Sequence, residues 1–139
     1  MNKKRWLVQI QAAFLAICDH DTSADPNGWT PENPLWGHCA VVALVVQGIF
    51  GGDLLRASLE GTKFAEQRSH YWNRLPKEWN ELEVDLTGFQ FGSKYSWKIV
   101  PRAEIRERSY VLSHPETLQR YELLSLRLKG FVDEFPLAQ

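Results

Sequence analysis

The chain has little cysteine, almost no net charge and no long apolar run, and each shortage closes off a class of protein. Two cysteines, Cys18 and Cys39, are too few for the disulfide framework of a small secreted scaffold. They fit a reducing compartment, so a cytoplasmic location is expected. The formal net charge is -1 and the cations are scattered among nearly as many acids, so no basic stripe is available to neutralise phosphates and nucleic acid is not an expected partner. Lys3-Lys4-Arg5 is the one cationic cluster, too short to argue for a membrane or polyanion surface. No stretch approaches the roughly 18 apolar residues of a membrane span. The apolar run ending in Leu15-Ala16-Ile17-Cys18 loosely resembles a lipoprotein signal. Gln9 and Gln11 interrupt it, however, and Ile17 is bulky where a small residue should precede a cleaved bond. Internal repeats, low-complexity tracts and linkers are also missing.

What is present describes one ordinary folded domain spanning 1–139. The apolar fraction of 44% and charged fraction of 24% are globular values, which exclude a disordered or fibrous class. A chain of this length buries about 68–70% of its unfolded surface, enough for one core. Six Trp residues exceed what one core needs, and a buried indole must find an acceptor for its N–H, so some are expected to line a cleft.

Leu7, Ile10, Phe14 and Ile17 fall on one helical stripe and predict a core-facing helix from about Lys4 to Ile17. Turn-forming residues from Asp19 to Gly28 then open a long surface loop that carries Trp29, Asn33 and Trp36 and ends at Gly37-His38-Cys39. Cys39 to Phe50 is apolar on nearly every side, and its length favours a buried helix, stopped by Gly51-Gly52. Asp53 to Leu59 reads as a strand, with a turn at Glu60-Gly61-Thr62. Ser69–Leu75 and Glu81–Leu86 read as a hairpin around Pro76-Lys77-Glu78-Trp79. A stretch rich in Tyr, Trp and Arg follows without a clear pattern. Ser113-His114-Pro115-Glu116 resembles a capping box, and Leu118, Tyr121, Leu124, Leu128 and Phe131 form a stripe behind it, predicting a closing helix. The fold class is α+β, with a helix headed by cysteine packed on a small antiparallel sheet between N- and C-terminal helices.

A cysteine at the first position of a buried helix has its sulfur near unpaired backbone N–H groups and the positive end of the helix dipole, which favours the thiolate. If Leu75 pairs with Asn80, counting outward sets His70 opposite Asp85, with Cβ atoms about 4.5–5.5 Å apart. A carboxylate there orients an imidazole whose other nitrogen is left for a thiol, the arrangement of nucleophile, base and orienting group. A slip of one residue would turn the carboxylate to the opposite face. Cys39, His70 and Asp85 are therefore the candidate catalytic residues. Trp36 and Trp72 could roof the cleft, Asn73 and Gln90 could orient a substrate, and the backbone N–H of Cys39 could hold an oxyanion. Cys18, His20, His38 and Cys39 do not have the spacing of a zinc set, so neither metal nor cofactor is expected.

Asn33-Pro34-Leu35-Trp36-Gly37-His38-Cys39-Ala40-Val41-Val42-Ala43-Leu44-Val45-Val46-Gln47, Gly51-Gly52-Asp53-Leu54-Leu55, His70-Tyr71-Trp72-Asn73-Arg74-Leu75, Asp85-Leu86-Thr87 and the segment around Arg120-Tyr121-Glu122-Leu123-Leu124 together resemble the bacterial YunG family. The likeness covers most of the chain. More broadly, a cysteine at a helix start with His and Asp on a hairpin resembles papain-like and transglutaminase-like thiol enzymes. That resemblance implies nucleophile, base and orienter for Cys39, His70 and Asp85, with Asn33 at the offset of an oxyanion-binding glutamine. The expected activity is a cysteine-dependent hydrolase or acyl/amide transferase acting on a small-molecule or peptide substrate. The alternative is a catalytically inert binding or interaction domain in which Cys39 is a packing residue.

Overall fold

Helix α1, Lys3–Ile17, buries the stripe its spacing predicts: Ile10, Ala13 and Phe14 are buried, with Leu7 and Ile17 partly covered. The structure, a computed structural model, describes residues 3–92 and 103–134. Helix α2, Cys39–Phe50, has every residue from Val41 to Val46 buried. Four of those six are valines, whose helix propensity lies up to about 0.7 kcal/mol below alanine. Burying each gains about 1.5–3 kcal/mol, so packing decides the conformation. Gly51, at φ 81, closes the helix by donating to the Gln47 carbonyl at 2.8 Å. Gly52 turns the chain into the sheet at φ 84, where a Cβ would fall on the carbonyl oxygen of Arg74.

Four antiparallel strands, Asp53–Ser58 (β1), Ser69–Arg74 (β2), Glu83–Val84 (β3) and Glu104–Arg106 (β4), form a sheet in the order β3-β2-β1-β4. Strand β1, Asp53–Ser58, pairs with β2, Ser69–Arg74, from Asp53 opposite Arg74 to Ser58 opposite Ser69. The pairing runs one step further, Leu59 N–H donating to the Arg68 carbonyl at 2.9 Å, so the turn between these strands spans a longer loop than Glu60-Gly61-Thr62. Strand β4, Glu104–Arg106, lies on the outer side of β1. The Tyr-, Trp- and Arg-rich stretch before it falls mostly outside the described residues.

The second hairpin differs from expectation. Strand β3 is only Glu83–Val84, and Leu75 N–H donates to the Leu82 carbonyl at 2.8 Å rather than pairing with Asn80. The connection, residues 76–81, is longer because Lys77–Trp79 coil into a helical turn and Asn80 and Glu81 both adopt positive φ. Arg74 therefore faces Glu83 instead of Glu81. A shift of two residues keeps every side chain on its face, which is why Asp85 still lies on the His70 side.

Arg108–Leu112 form the short helix α3, and Pro115–Glu134 form α4. Ser113 does not build the expected capping box. Its hydroxyl donates backwards to the Tyr110 carbonyl at 2.6 Å, closing α3, and the His114 carbonyl accepts the first helical bond of α4, from Leu118 N–H at 3.0 Å. One face of α2 packs through Ala43 and Leu44 onto Leu54 and Val111. Val41, Val42, Val45 and Val46 pack with Phe14 of α1 and with Leu124 and Leu128 of α4. Helix α2 thus lies between the sheet and the two long helices. No helix among the described residues is long and apolar enough to cross a membrane.

Candidate functional site

The loop before α2 sets the position of Cys39. Gly37 sits at φ 76, where a Cβ would fall on Ser23 Oγ, and its carbonyl accepts from Ala24 N–H at 2.8 Å. Its own N–H donates to Gln90 Oε1 at 3.0 Å, while Ser23 Oγ donates to the Trp36 carbonyl at 2.6 Å. His38 then ends the loop and accepts the first helical bond, from Val42 N–H at 2.9 Å. Cys39 follows, half-buried at the head of α2, with its thiol donating to the Ser69 carbonyl at 3.8 Å.

His70 is the residue after Ser69 in β2 and has no solvent exposure. Its Nε2 meets Asp85 Oδ2 at 2.7 Å. The indole of Trp72, two residues along the same strand face, stacks on the imidazole at 5.6 Å and 19°, and Phe91 presents its edge at 5.1 Å. Asp85 lies just past β3 and is held by its neighbour, since Gln11 of α1 donates to the Leu86 carbonyl at 2.9 Å. Burial pulls the His70 pKa down. The hydrogen bonds to Asp85 and Cys39, with the charges of both, overcome it and raise the value to about 9. Thiol, imidazole and carboxylate thus form one contiguous row, with Cys39 and Asp85 both acting on the same ring.

The other predicted residues surround this row without all reaching it. Asn33 donates its amide to the Gln90 carbonyl at 2.9 Å. Gln90 is buried with both ends of its amide on backbone, Gly37 N–H and the Thr87 carbonyl, so these two side chains fasten the cysteine loop to residues 87–90. Trp36 packs against Phe64 and Phe91 and donates to Asp25 Oδ2 at 2.9 Å. Trp72 covers His70 and donates to Glu83 Oε1 at 2.9 Å. Asn73 is buried on the other side of the strand, donating to the Ala43 carbonyl at 2.9 Å, and holds α2 to β2 away from the cleft.

A cleft of about 130 Å³ reaches Cys39, walled by Gly37, Gln67, Tyr71, Gln90 and Arg120 among others. Arg120 and Gln67 carry no sequence pattern that marks them as lining. His38 serves the loop rather than the cleft. It is fully buried, with Nε2 accepting from the Thr22 hydroxyl at 2.6 Å and Nδ1 donating to the Trp36 carbonyl at 2.9 Å. Burial depresses its pKa to about 4 against the raising effect of its backbone partners, so it braces the loop as a neutral ring. Cys18 is buried in the core, and burial together with the nearby Asp19 charge pushes its thiol up to about 12. Asp19, His20 and Asp21 bring ligand-type atoms together at the surface. Arg127 pairs with Asp19 at 2.9 Å there, which gives the cluster a structural cause.

The fold and site define a small α+β domain that gathers a thiol, an imidazole and a carboxylate at the head of its buried helix. The sequence model of the family described as YunG protein matches residues 7–133, and the chain belongs to that family. It is similar to the uncharacterized protein YunG of Bacillus subtilis strain 168, with 29% identity over 107 residues that cover 76% of this chain and 83% of that protein. No solved structure matches the chain.

Proposed function

We propose that this domain is a cysteine-dependent hydrolase or acyl/amide transferase in which Cys39 is the nucleophile, His70 the proton carrier and Asp85 the group that orients it. The reading is carried by one observation: His70, sealed from solvent, takes Asp85 at 2.7 Å on Nε2 while the Cys39 thiol acts on the same ring. Its Nδ1 is the nitrogen that can meet the sulfur. An imidazole that keeps its proton to about pH 9 can hold the proton taken from the thiol at neutral pH. The sulfur attacks a carbonyl carbon, the carbonyl electron pair moves onto oxygen, and the backbone N–H groups of the first turn of α2 are the donors for that oxyanion. Collapse expels the amine or alcohol with the proton from His70 and leaves a thioester. Water, or an amine in the transferase case, gives its proton back to His70 as it displaces the sulfur. In this reading the arrangement of helix, cysteine and strand-borne partners is that of papain-like and transglutaminase-like enzymes.

The test is iodoacetamide modification of the native protein near pH 6.5, read by intact mass and peptide mapping. The expected product is one adduct, on Cys39, formed far more slowly in His70→Ala. Cys18 is the internal control, since burial leaves it unreactive until unfolding. Incubation with p-nitrophenyl acetate is expected to leave an acetyl group on Cys39. Modification of Cys39 only after denaturation would return the inert packing role and overturn the reading.

A further inference from the structure

Among the described residues lining the Cys39 cleft, Arg120 is the single one with a formal charge; the rest are neutral, including Ala24, Gln67, Ser69, Tyr71 and Thr117. Arg120 stands three residues after Thr117 on α4, so both side chains lie on the same helix face. The guanidinium Nη2 donates to Thr117 Oγ1 at 3.4 Å, a long bond, and Nε is buried with no hydrogen-bond partner among the described residues. Arg74, Arg106 and Arg127 are each ion-paired with carboxylates, and Arg120 is not among them. Arg120 therefore brings a positive charge and a planar fork of donors to the nucleophile's cleft with no carboxylate at ion-pair distance among the described residues, its nearest acidic influence being Glu116, one turn earlier on α4, which acts on it through space. A buried N–H without an acceptor is destabilising, and a guanidinium fork matches a carboxylate in geometry and charge.

The surroundings fix where an anion would sit. The inner cleft holds no acid. The adjoining cleft of about 480 Å³, which shares Ala24 and Gln67 with it, is lined by three acids, Asp25, Glu66 and Glu116, against one cation, Arg68, and its net negative lining disfavours an anion placed further out. At about 130 Å³ the inner cleft has room for only a handful of non-hydrogen atoms around the sulfur. We propose that Arg120 binds a carboxylate of the substrate, so that the compound attacked by Cys39 is a compact acyl or amide bearing a carboxylate a few bonds from the reacting carbonyl. This rests on the assignment of Cys39 as nucleophile. Arg120 is then a specificity residue, fixing which end of the substrate faces the sulfur.

Iodoacetate and iodoacetamide alkylate the same sulfur and differ in carrying a carboxylate or its neutral amide, so their rate ratio on Cys39, normalised to the ratio on a free small thiol, reads the proposed contact directly. The normalised ratio is expected to favour iodoacetate roughly tenfold, the discrimination a charge-assisted hydrogen-bonded pair supplies. In Arg120→Gln it falls toward one, read as a ratio so that a change in the reactivity of the sulfur common to both reagents cancels, which separates the arginine from the positive imidazole nearby. Propionate is expected to slow iodoacetamide in the native protein and propionamide is not, a measurement that needs no variant. A normalised ratio near one in the native protein, or a preference that survives Arg120→Gln, overturns the carboxylate site and leaves the thiol chemistry standing. Failure of both reagents to reach native Cys39 overturns both.

Discussion

Replacing Asp85 by asparagine keeps the shape beside His70 and removes the charge, which tests the central electrostatic claim. Burial is the strongest influence on His70 and acts to lower its pKa; the partners raise it from 6.5 to about 9. At about 1.36 kcal/mol per unit, the elevation corresponds to about 3 kcal/mol of preference for the imidazolium in the folded state. In Asp85→Asn burial faces weaker opposition, and the imidazole is expected to be mainly neutral at pH 7, where the native ring is almost wholly protonated. The pH dependence follows in sign. A group whose folded pKa lies above its unfolded value stabilises fully below the unfolded pKa of 6.5 and loses that contribution as pH rises through about 9. The native protein should lose stability over that interval, by up to about 3 kcal/mol from this group, and the variant should lack the decline. Ring-proton NMR titration of His70 gives the ionisation, and urea midpoints at pH 6.5 and 9 give the stability. A native His70 that titrates below pH 7, or a variant ring still charged at neutral pH, would refute the reasoning.

Two further outcomes are expected. His38, depressed to about 4 by burial, works in the opposite direction: its contribution is intact above pH 6.5 and is lost as pH falls toward about 4, by about 3 kcal/mol. His38→Gln should flatten the acid side of the stability profile measured by urea denaturation. Gly37→Ala places a Cβ on Ser23 Oγ at φ 76, so the urea midpoint should drop by an amount equivalent to about 2 kcal/mol or more, and alkylation of Cys39 should slow with it.

The helices were legible because their apolar spacing is dense. Ile10 and Phe14 announce α1, and the unbroken run from Val41 to Val46 has no solvent-facing side to confuse its assignment. Strand β4 gives no such signal: in Glu104-Ile105-Arg106 the one apolar side chain is 55% exposed, and pairing with β1 alone makes it a strand. The second hairpin was visible as a hairpin but not in register, since composition does not reveal that Asn80 and Glu81 both take left-handed backbone. The neighbourhood of His70 and Asp85 was readable because an even shift preserves faces. The amides of Asn33, Asn73 and Gln90 could not be apportioned in advance, because a backbone group and a substrate offer an amide the same hydrogen bonds, and only the fold places Gly37, Thr87 and Ala43 within reach. Arg120 carried no local signal of a place in the cleft, since it lines the same cleft as Cys39 only through the docking of α4 on α2.

Helix α2 is enclosed from Val41 to Val46, so the sulfur at its tip is anchored to the packed core of the molecule. The mouth around it is assembled from separate elements, the loop before α2, the turn carrying Gln67 and the opening turns of α4. Residues at the rim can therefore be exchanged to alter what enters while the reacting atom stays where it is. A designer seeking to change the molecule's preference would begin at Gln67, Thr117 and Arg120 and leave the valines alone.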